Sequence, residues 1–317
     1  MDLSKINIEK ELQIVFMGTP EFAVPVLEGL IENYKVRAVV TQPDRPGNHG
    51  KIVYSPIKAK AMENAILVLQ PNKIKEEYQE IINLKPDLII TCAYGQIIPN
   101  EILNLPRLGC INVHASLLPK LRGGAPIHRA IIDGHKKTGI TIMYMNSKMD
   151  EGDIISQEEV EILDTDTAST LHDKLKILGK DLLLRTLPSI INKTNDRIVQ
   201  NHSEATYAFT IKKEDEKLDF NDTKKQVYNK IRGLNSFPGA YCMFLGKRLK
   251  VWDSYITDNY PSGFNGEIVA IYKDGIGVKV SNGEIVFKTI QLEGKNKMSA
   301  TTFVNGLKDD IIGKVLQ

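Results

Sequence analysis

The chain has 317 residues, 42% of them apolar and 25% charged, with a formal net charge of +2. That length holds two domains, and that balance excludes a disordered or fibrous chain. Three cysteines, Cys92, Cys110 and Cys242, form no CxxC pair, which speaks against a disulfide framework and a structural zinc site and fits a reducing compartment.

The opening residues carry charge up to the first apolar run, with no long apolar segment and no small-residue cleavage site, so no secretory signal is read. No apolar run reaches the length of a membrane span. A cytoplasmic protein is therefore expected. Residues 13–17 (QIVFM) predict a buried strand ending at Gly18, followed by a helix over 20–33 and a strand over 36–41. A polar stretch, 42–55, interrupts the alternation. Helices are predicted over 56–65 and 73–83, and strands over 67–69, 87–92 and 110–114. Strands alternating with helices, and apolar runs without polar alternation, point to a parallel sheet covered on both faces. After Gly139 two strand-like runs, ITIMYM and DIISQEEVEI, suggest an antiparallel pair, and an amphipathic helix follows over 170–192. Residues 193–208 are polar and aperiodic, as a linker would be. Beyond them come one helix, 222–232, and short strands at 240–245, 248–257, 266–272, 275–280 and 284–292, the pattern of a small β-barrel. From Phe209 onward 17 Lys and Arg face 13 Asp and Glu, leaving +4 there and −2 elsewhere. That is compatible with a polyanionic partner, although scatter of this size is ordinary.

The richest stretch is 109–126, GCINVHASLLPKLRGGAP. In the strand CINVH, Asn112 and His114 are two residues apart and leave the same face. They sit at the strand's carboxyl end, where ligands of open α/β sheets bind. An amide donor beside an imidazole can stabilise a developing oxyanion and move a proton. The Pro- and Gly-rich loop after them has a shaped backbone that could bond a flat heterocycle. Asp150, in KMDEGDII, is the candidate to orient the imidazole and stabilise its charged form. Taken singly, His114 fits a satisfied core histidine as well as a catalytic one, and Asp150 beside Gly152 reads more readily as a turn former. The joint pattern favours a site.

NVHASLLPKLRGGAP followed by GITIMYM and MDEGDII resembles the signature of the folate-dependent formyltransferase family. Matched by motif, the family's Asn, His and Asp are Asn112, His114 and Asp150. The resemblance implies attack of an amine on the formyl carbon of 10-formyltetrahydrofolate, with no metal. Asn112 and His114 would polarise the formyl oxygen, and Asp150 would hold His114. The backbone of Ser116, Leu117, Leu118 and Pro119 would line the pterin pocket. FMGTPEFAVPVLEGL (16–30), TQPDRP (41–46), AYGQIIP (93–99), PRLGCINVH (106–114), ATYAFTIKKEDEKLDF (205–220), IRGLNSFPGAY (231–241) and KMSA (297–300) are similar to the members that formylate initiator methionyl-tRNA. What this implies is a Rossmann-like catalytic domain over 1–192, a linker over 193–208, and an OB-like tRNA-holding barrel over 209–317. A monomer that touches folate and tRNA, and no membrane, is expected.

One segment departs from the resemblance. The loop after TQPDRP should be strongly basic, yet it reads GNHGKI, with His49 where an arginine is usual. Arg45, Lys51 and Lys58 remain as candidate tRNA contacts. Gly18-Thr-Pro also departs from a GxGxxG fingerprint, which disfavours a dinucleotide oxidoreductase. His49, His128, His135, His172 and His202 have no ligand spacing. Rival readings are a formyltransferase acting on a small amine or an amino-sugar nucleotide, and a nucleic-acid-binding module with an inactive catalytic fold.

Overall fold

The computed structural model describes residues 12–46 and 52–317. The chain divides into two compact units. One comprises residues up to Gly123 with Thr138–Val160 and His172–Tyr207; the other comprises Gly124–Lys137, Glu161–Leu171 and Ala208–Gln317.

The first unit is built on a seven-stranded sheet. Its strands are β1 (Ile14–Gly18), β2 (Val36–Val40), β5 (Leu67–Leu69), β6 (Leu88–Cys92), β7 (Cys110–His114), β8 (Lys137–Tyr144) and β9 (Ile154–Glu161), with a two-stranded hairpin, β3 (Arg45–Pro46) and β4 (Ile52–Val53), set apart from it. The spatial order is β5-β2-β1-β6-β7-β8-β9. The five strands from β5 to β7 run parallel, and β8 is antiparallel to β7. Tyr144 N bonds Asp153 O, and Ile162 N bonds Lys136 O, so β8 and β9 form the expected antiparallel pair. Every residue of β1 and β6 is buried, which is why these strands are apolar on both faces. The order reverses between β1 and β6, the switch point beside which α/β sheets bind ligands.

The helix expected over 20–33 is divided into a 3-10 turn, Glu21–Ala23, and α1 (Val24–Asn33). Pro25 has no N–H to give the Glu21 carbonyl, so the α-helical ladder cannot run through. The next helix, α2 (Pro56–Glu63), stops short of the expected end because Ala65 turns left-handed, with φ 53°. The helix expected over 73–83 contracts to α3 (Gln79–Asn83). Upstream of it the Ile74 N–H goes to Gln96 Oε1 and the Asn72 N–H to the Glu77 carboxylate, which tie the chain into turns. A short α4 (Asn100–Leu103) leads into β7, and α6 (Ala168–Ile191) is the long helix expected after the sheet.

In the second unit α5 (Pro126–Ile132) and α7 (Lys224–Gly233) pair through His128 Nδ1 and Gly233 O at 2.8 Å. Thr223 and Gln226 cap α7 reciprocally. Strands β10 (Ala240–Phe244), β11 (Lys247–Ile256), β12 (Ile268–Tyr272), β13 (Gly275–Val280), β14 (Gly283–Leu292) and β15 (Met298–Ser299) make one antiparallel sheet, with α8 (Ala300–Asn305) after it. Its path runs β10-β11-β14-β13-β12. The two outer strands meet through the final residues. Met243 and Gln317 exchange backbone bonds of 2.6 and 3.1 Å, while Ile268 N reaches Lys314 O and Leu316 N reaches Gly266 O. The tail thus covers both free edges, which closes the expected barrel around a core containing Val251, Val278, Ile285 and Phe287.

Candidate active site

Asn112 and His114 lie on β7, on one face, as their spacing requires. Asn112 is half-buried. Thr91 Oγ1 on β6 donates to its Oδ1 at 2.8 Å, which fixes the amide and turns its NH2 toward Asp150, where Nδ2 stands 3.5 Å from Oδ1. His114 is buried. Its Nε2 lies 3.1 Å from Leu121 O, and its Nδ1 lies 3.7 Å from Asp150 Oδ2. The ring therefore stands between two oxygen acceptors. Asp150 sits in the turn between β8 and β9, with φ 54°, and the Gly123 N–H donates to its Oδ2 at 2.9 Å. The three side chains converge, through a long Asn112–Asp150 hydrogen bond and a His114–Asp150 separation looser than one, as in sites without substrate.

Gly152 explains the shape of that turn. A Cβ there would overlap the Tyr144 carbonyl, so only glycine lets the chain pass.

The loop after β7 is bonded mostly to itself and to its neighbours. Ser116 is fully buried, its hydroxyl donating to Lys120 O and its carbonyl accepting from Thr141. Leu118 is buried, its N–H donating to Thr141 Oγ1 and its carbonyl accepting from Gln157. Leu117 and Pro119 are half-buried and present more surface. Ser116 and Leu118 thus shape the loop from within.

A family model described as formyl transferase matches residues 12–187, and one described as formyl transferase, C-terminal domain, matches residues 210–308. The chain belongs to the formyl transferase family. A methionyl-tRNA formyltransferase of Bacillus cereus (strain B4264) is 51% identical over 305 residues, covering 95% of this chain and 97% of that protein. One of Bacillus thuringiensis (strain Al Hakam) is 50% identical over the same length. Among solved structures, an N-formyltransferase from Helicobacter canadensis, in complex with folinic acid and dTDP-3-aminofucose, aligns with a TM-score of 0.68 at 20% identity, covering 87% of this chain and 99% of that one. HypX from Aquifex aeolicus, in complex with tetrahydrofolic acid, aligns at 0.66 with 18% identity, covering 95% of this chain and 49% of that one. At such identities the structural likeness speaks for the fold alone.

Formyl transferases take their one-carbon group from folate-derived donors. The Asn112 amide suits such a donor. Its carbonyl end is held by Thr91, while among the described residues its N–H end makes only the long contact to Asp150, so an N–H remains for a formyl oxygen.

Two further residues of this site, Arg122 within the motif stretch and Gln200 beyond it, have no role in the sequence reading. Arg122 is the largest fully buried side chain among the described residues, 1% exposed. Its guanidinium donates to Gln200 Oε1, at 3.1 Å from Nε and 2.7 Å from Nη2, and pairs with Glu151 at 3.3 Å. Gln200 donates in turn to the carbonyls of Asp150 and Gly152. Of residues 193–208, expected as linker, 193–207 belong to the first unit and Ala208 to the second.

The three candidate tRNA contacts divide. Arg45 is exposed on β3. Lys51 lies outside the described residues, as do residues 47–50 before it. Lys58 does not offer the free charge expected of it. Its ammonium bonds Asp44 Oδ2 at 2.5 Å and Gln70 Oε1 at 2.8 Å, and it lies over the Tyr54 ring. Hydrogen bonds from Lys58 and Gln70 hold the Asp44 carboxyl below its ordinary range. Lys58 is thus a brace at the base of the arm formed by β3 and β4.

Among the described residues no helix is long and apolar enough to cross a membrane, and no three His, Cys, Asp or Glu side chains stand grouped as metal ligands.

Proposed function

We propose that this chain transfers the formyl group of 10-formyltetrahydrofolate to the amino group of methionine on initiator methionyl-tRNA, as a cytoplasmic monomer supporting translation initiation. The observation that carries the acceptor is identity across both regions of the chain, 51% over 305 residues, to a methionyl-tRNA formyltransferase. The meeting of Asn112, His114 and Asp150 supports the chemistry. Catalysis is assigned to the unit that holds these three residues, which includes 193–207, and tRNA holding to residues 209–317.

The donor supplies a formyl carbon bound to nitrogen. Leu117 and Pro119 offer apolar edges to its ring, over a loop shaped by Ser116 and Leu118. As the amine adds, Asn112 Nδ2 donates to the oxygen that gains negative charge, a role in which one donor is worth about 10²–10³ in rate. His114 takes up the proton that the amine loses and passes it to the departing nitrogen. Asp150 stabilises the ring while it carries that proton, without itself being protonated. Arg45 and Lys51 are assigned to the tRNA backbone, and Lys58 to the arm that carries them.

The test is transfer of labelled formyl from 10-formyltetrahydrofolate to aminoacylated initiator tRNA, with a free amino-sugar nucleotide in competition. Transfer to the tRNA that disappears in His114→Ala supports both acceptor and site. Transfer to the sugar nucleotide alone overturns the acceptor and leaves the chemistry.

A further inference from the structure

Residues 198–207 touch both halves of the candidate site. Ile198 and Ile154 exchange two backbone hydrogen bonds, of 2.8 and 2.9 Å, which lay this segment beside the turn that carries Asp150. Gln200 is buried, 3% exposed. Both amide protons of its side chain are used, one on Asp150 O at 2.8 Å and one on Gly152 O at 2.7 Å. Both lone pairs of its carbonyl oxygen are taken by Arg122. A buried primary amide can make four such bonds, and this one makes them all. Arg122 Nη2 also lies 3.1 Å from His202 Nδ1. Further along, Thr206 Oγ1 accepts the Leu121 N–H at 2.9 Å, and Thr206 O accepts the Arg122 N–H at 2.9 Å.

The two points that the segment holds are the two that matter to the reacting groups. Asp150 carries one carboxylate. Leu121 carries the carbonyl that faces His114 Nε2. Both residues are left-handed, with φ 54° at Asp150 and 59° at Leu121. Side chains other than glycine rarely hold that conformation unless their surroundings impose it, and such residues gather at functional sites. Here the same ten residues hydrogen-bond to both.

We propose that residues 198–207 are a positioning strap for catalysis, in which Gln200 sets the backbone of Asp150 and Thr206 sets the backbone of Leu121, the acceptor of His114. The proposal rests on the reading of His114 and Asp150 as catalytic. Neither strap residue touches the reacting atoms. They act by holding two groups to within a fraction of an ångström, and a displacement of about 1 Å costs on the order of 10²-fold in rate.

Two substitutions separate positioning from folding. Gln200→Glu keeps an acceptor, now charged, for Arg122, so the buried guanidinium remains paired. It removes both donors to the Asp150 turn. Thr206→Val removes the acceptor of the Leu121 N–H, and Thr206→Ser restores it. Steady-state formylation and thermal melting are measured for each, beside Asp150→Asn. The expected result is kcat reduced roughly 10- to 100-fold in Gln200→Glu and Thr206→Val, with both KM values nearly unchanged. Thr206→Ser recovers most of the rate, and melting shifts too little to account for the loss. If Gln200→Glu does not fold, the Thr206 pair decides. Full kcat in Gln200→Glu or Thr206→Val beside an inactive Asp150→Asn overturns the strap and leaves the site. Equal rates in the two Thr206 variants also overturn it. Full activity in Asp150→Asn overturns the site, and the strap falls with it.

Discussion

Exchanging Asp150 for asparagine removes one charge and leaves the turn in place. The backbone there is left-handed, φ 54°, a region that Asn occupies as readily as Asp. The amide oxygen can still accept the Gly123 N–H that now reaches Oδ2 at 2.9 Å. What disappears is the attraction between the carboxylate and a protonated His114, whose Nδ1 stands 3.7 Å away. At about 4 Å, with an effective dielectric constant of about 20, that attraction is worth about 4 kcal/mol. Since about 1.4 kcal/mol is tenfold in rate, kcat should fall about 10³-fold. The measurement is single-turnover formylation of methionyl-tRNA with enzyme in excess, so that product release does not intrude, beside a thermal melt. The melting temperature should stay within a few degrees. A loss in kcat below tenfold would show that the carboxylate does not stabilise a charged ring. A large loss accompanied by collapse of the melt would show that Asp150 is a turn former first.

Asn112→Ala should lower kcat about 10²- to 10³-fold, with a smaller loss in Thr91→Val, which only frees the amide to rotate; equal losses would mean that Asn112 acts by packing. All three cysteines are buried, and burial pushes the Cys110 and Cys242 thiols up to about 12. A chromogenic disulfide reagent at neutral pH should therefore react with none in the native protein and with all three in denaturant. The depressed Asp44 carboxyl adds stability above its unfolded pKa of about 3.9 and loses it as pH falls through the lower folded value. Urea midpoints of the native chain and Asp44→Asn should differ at neutral pH and converge in acid; a gap independent of pH would place the effect outside this ion pair.

The middle of the first sheet is readable because its central strands are buried on both faces. Ile14–Gly18, Leu88–Cys92 and Cys110–His114 are runs that period-2 and period-3.6 arguments both leave to burial, and their lengths decide for strands. Where the reading slipped, one side-chain event had overridden a helical pattern. Pro25 withholds an N–H, and Gln96 takes the N–H of Ile74 across 22 positions of sequence. The barrel's strands were legible one by one, but its closure was not. Edge pairing by the tail beyond α8 follows from which edges remain bare, and no local pattern announces that.

The site divides in the same way. Asn112 and His114 lie two residues apart on one strand, so their shared direction is a property of sequence. Asp150 is 38 positions from Asn112, and motif alone joined it to the pair. Gln200 is invisible in the sequence for a physical reason. A polar residue in an aperiodic stretch is solvated unless another chain segment supplies partners, and those partners, Arg122 and the carbonyls of Asp150 and Gly152, come from 48 to 78 positions away. Lys58, on the helix after the arm and a candidate to meet phosphate, is likewise paired from elsewhere in the chain, with Asp44. Buried polar groups must find partners or be excluded from the interior. A polar run that begins at Lys193, beyond a long helix, is therefore a place to look for such partners before it is set aside as a tether. Here the run supplies Gln200 and Thr206, which hold the backbone on either side of the candidate catalytic groups.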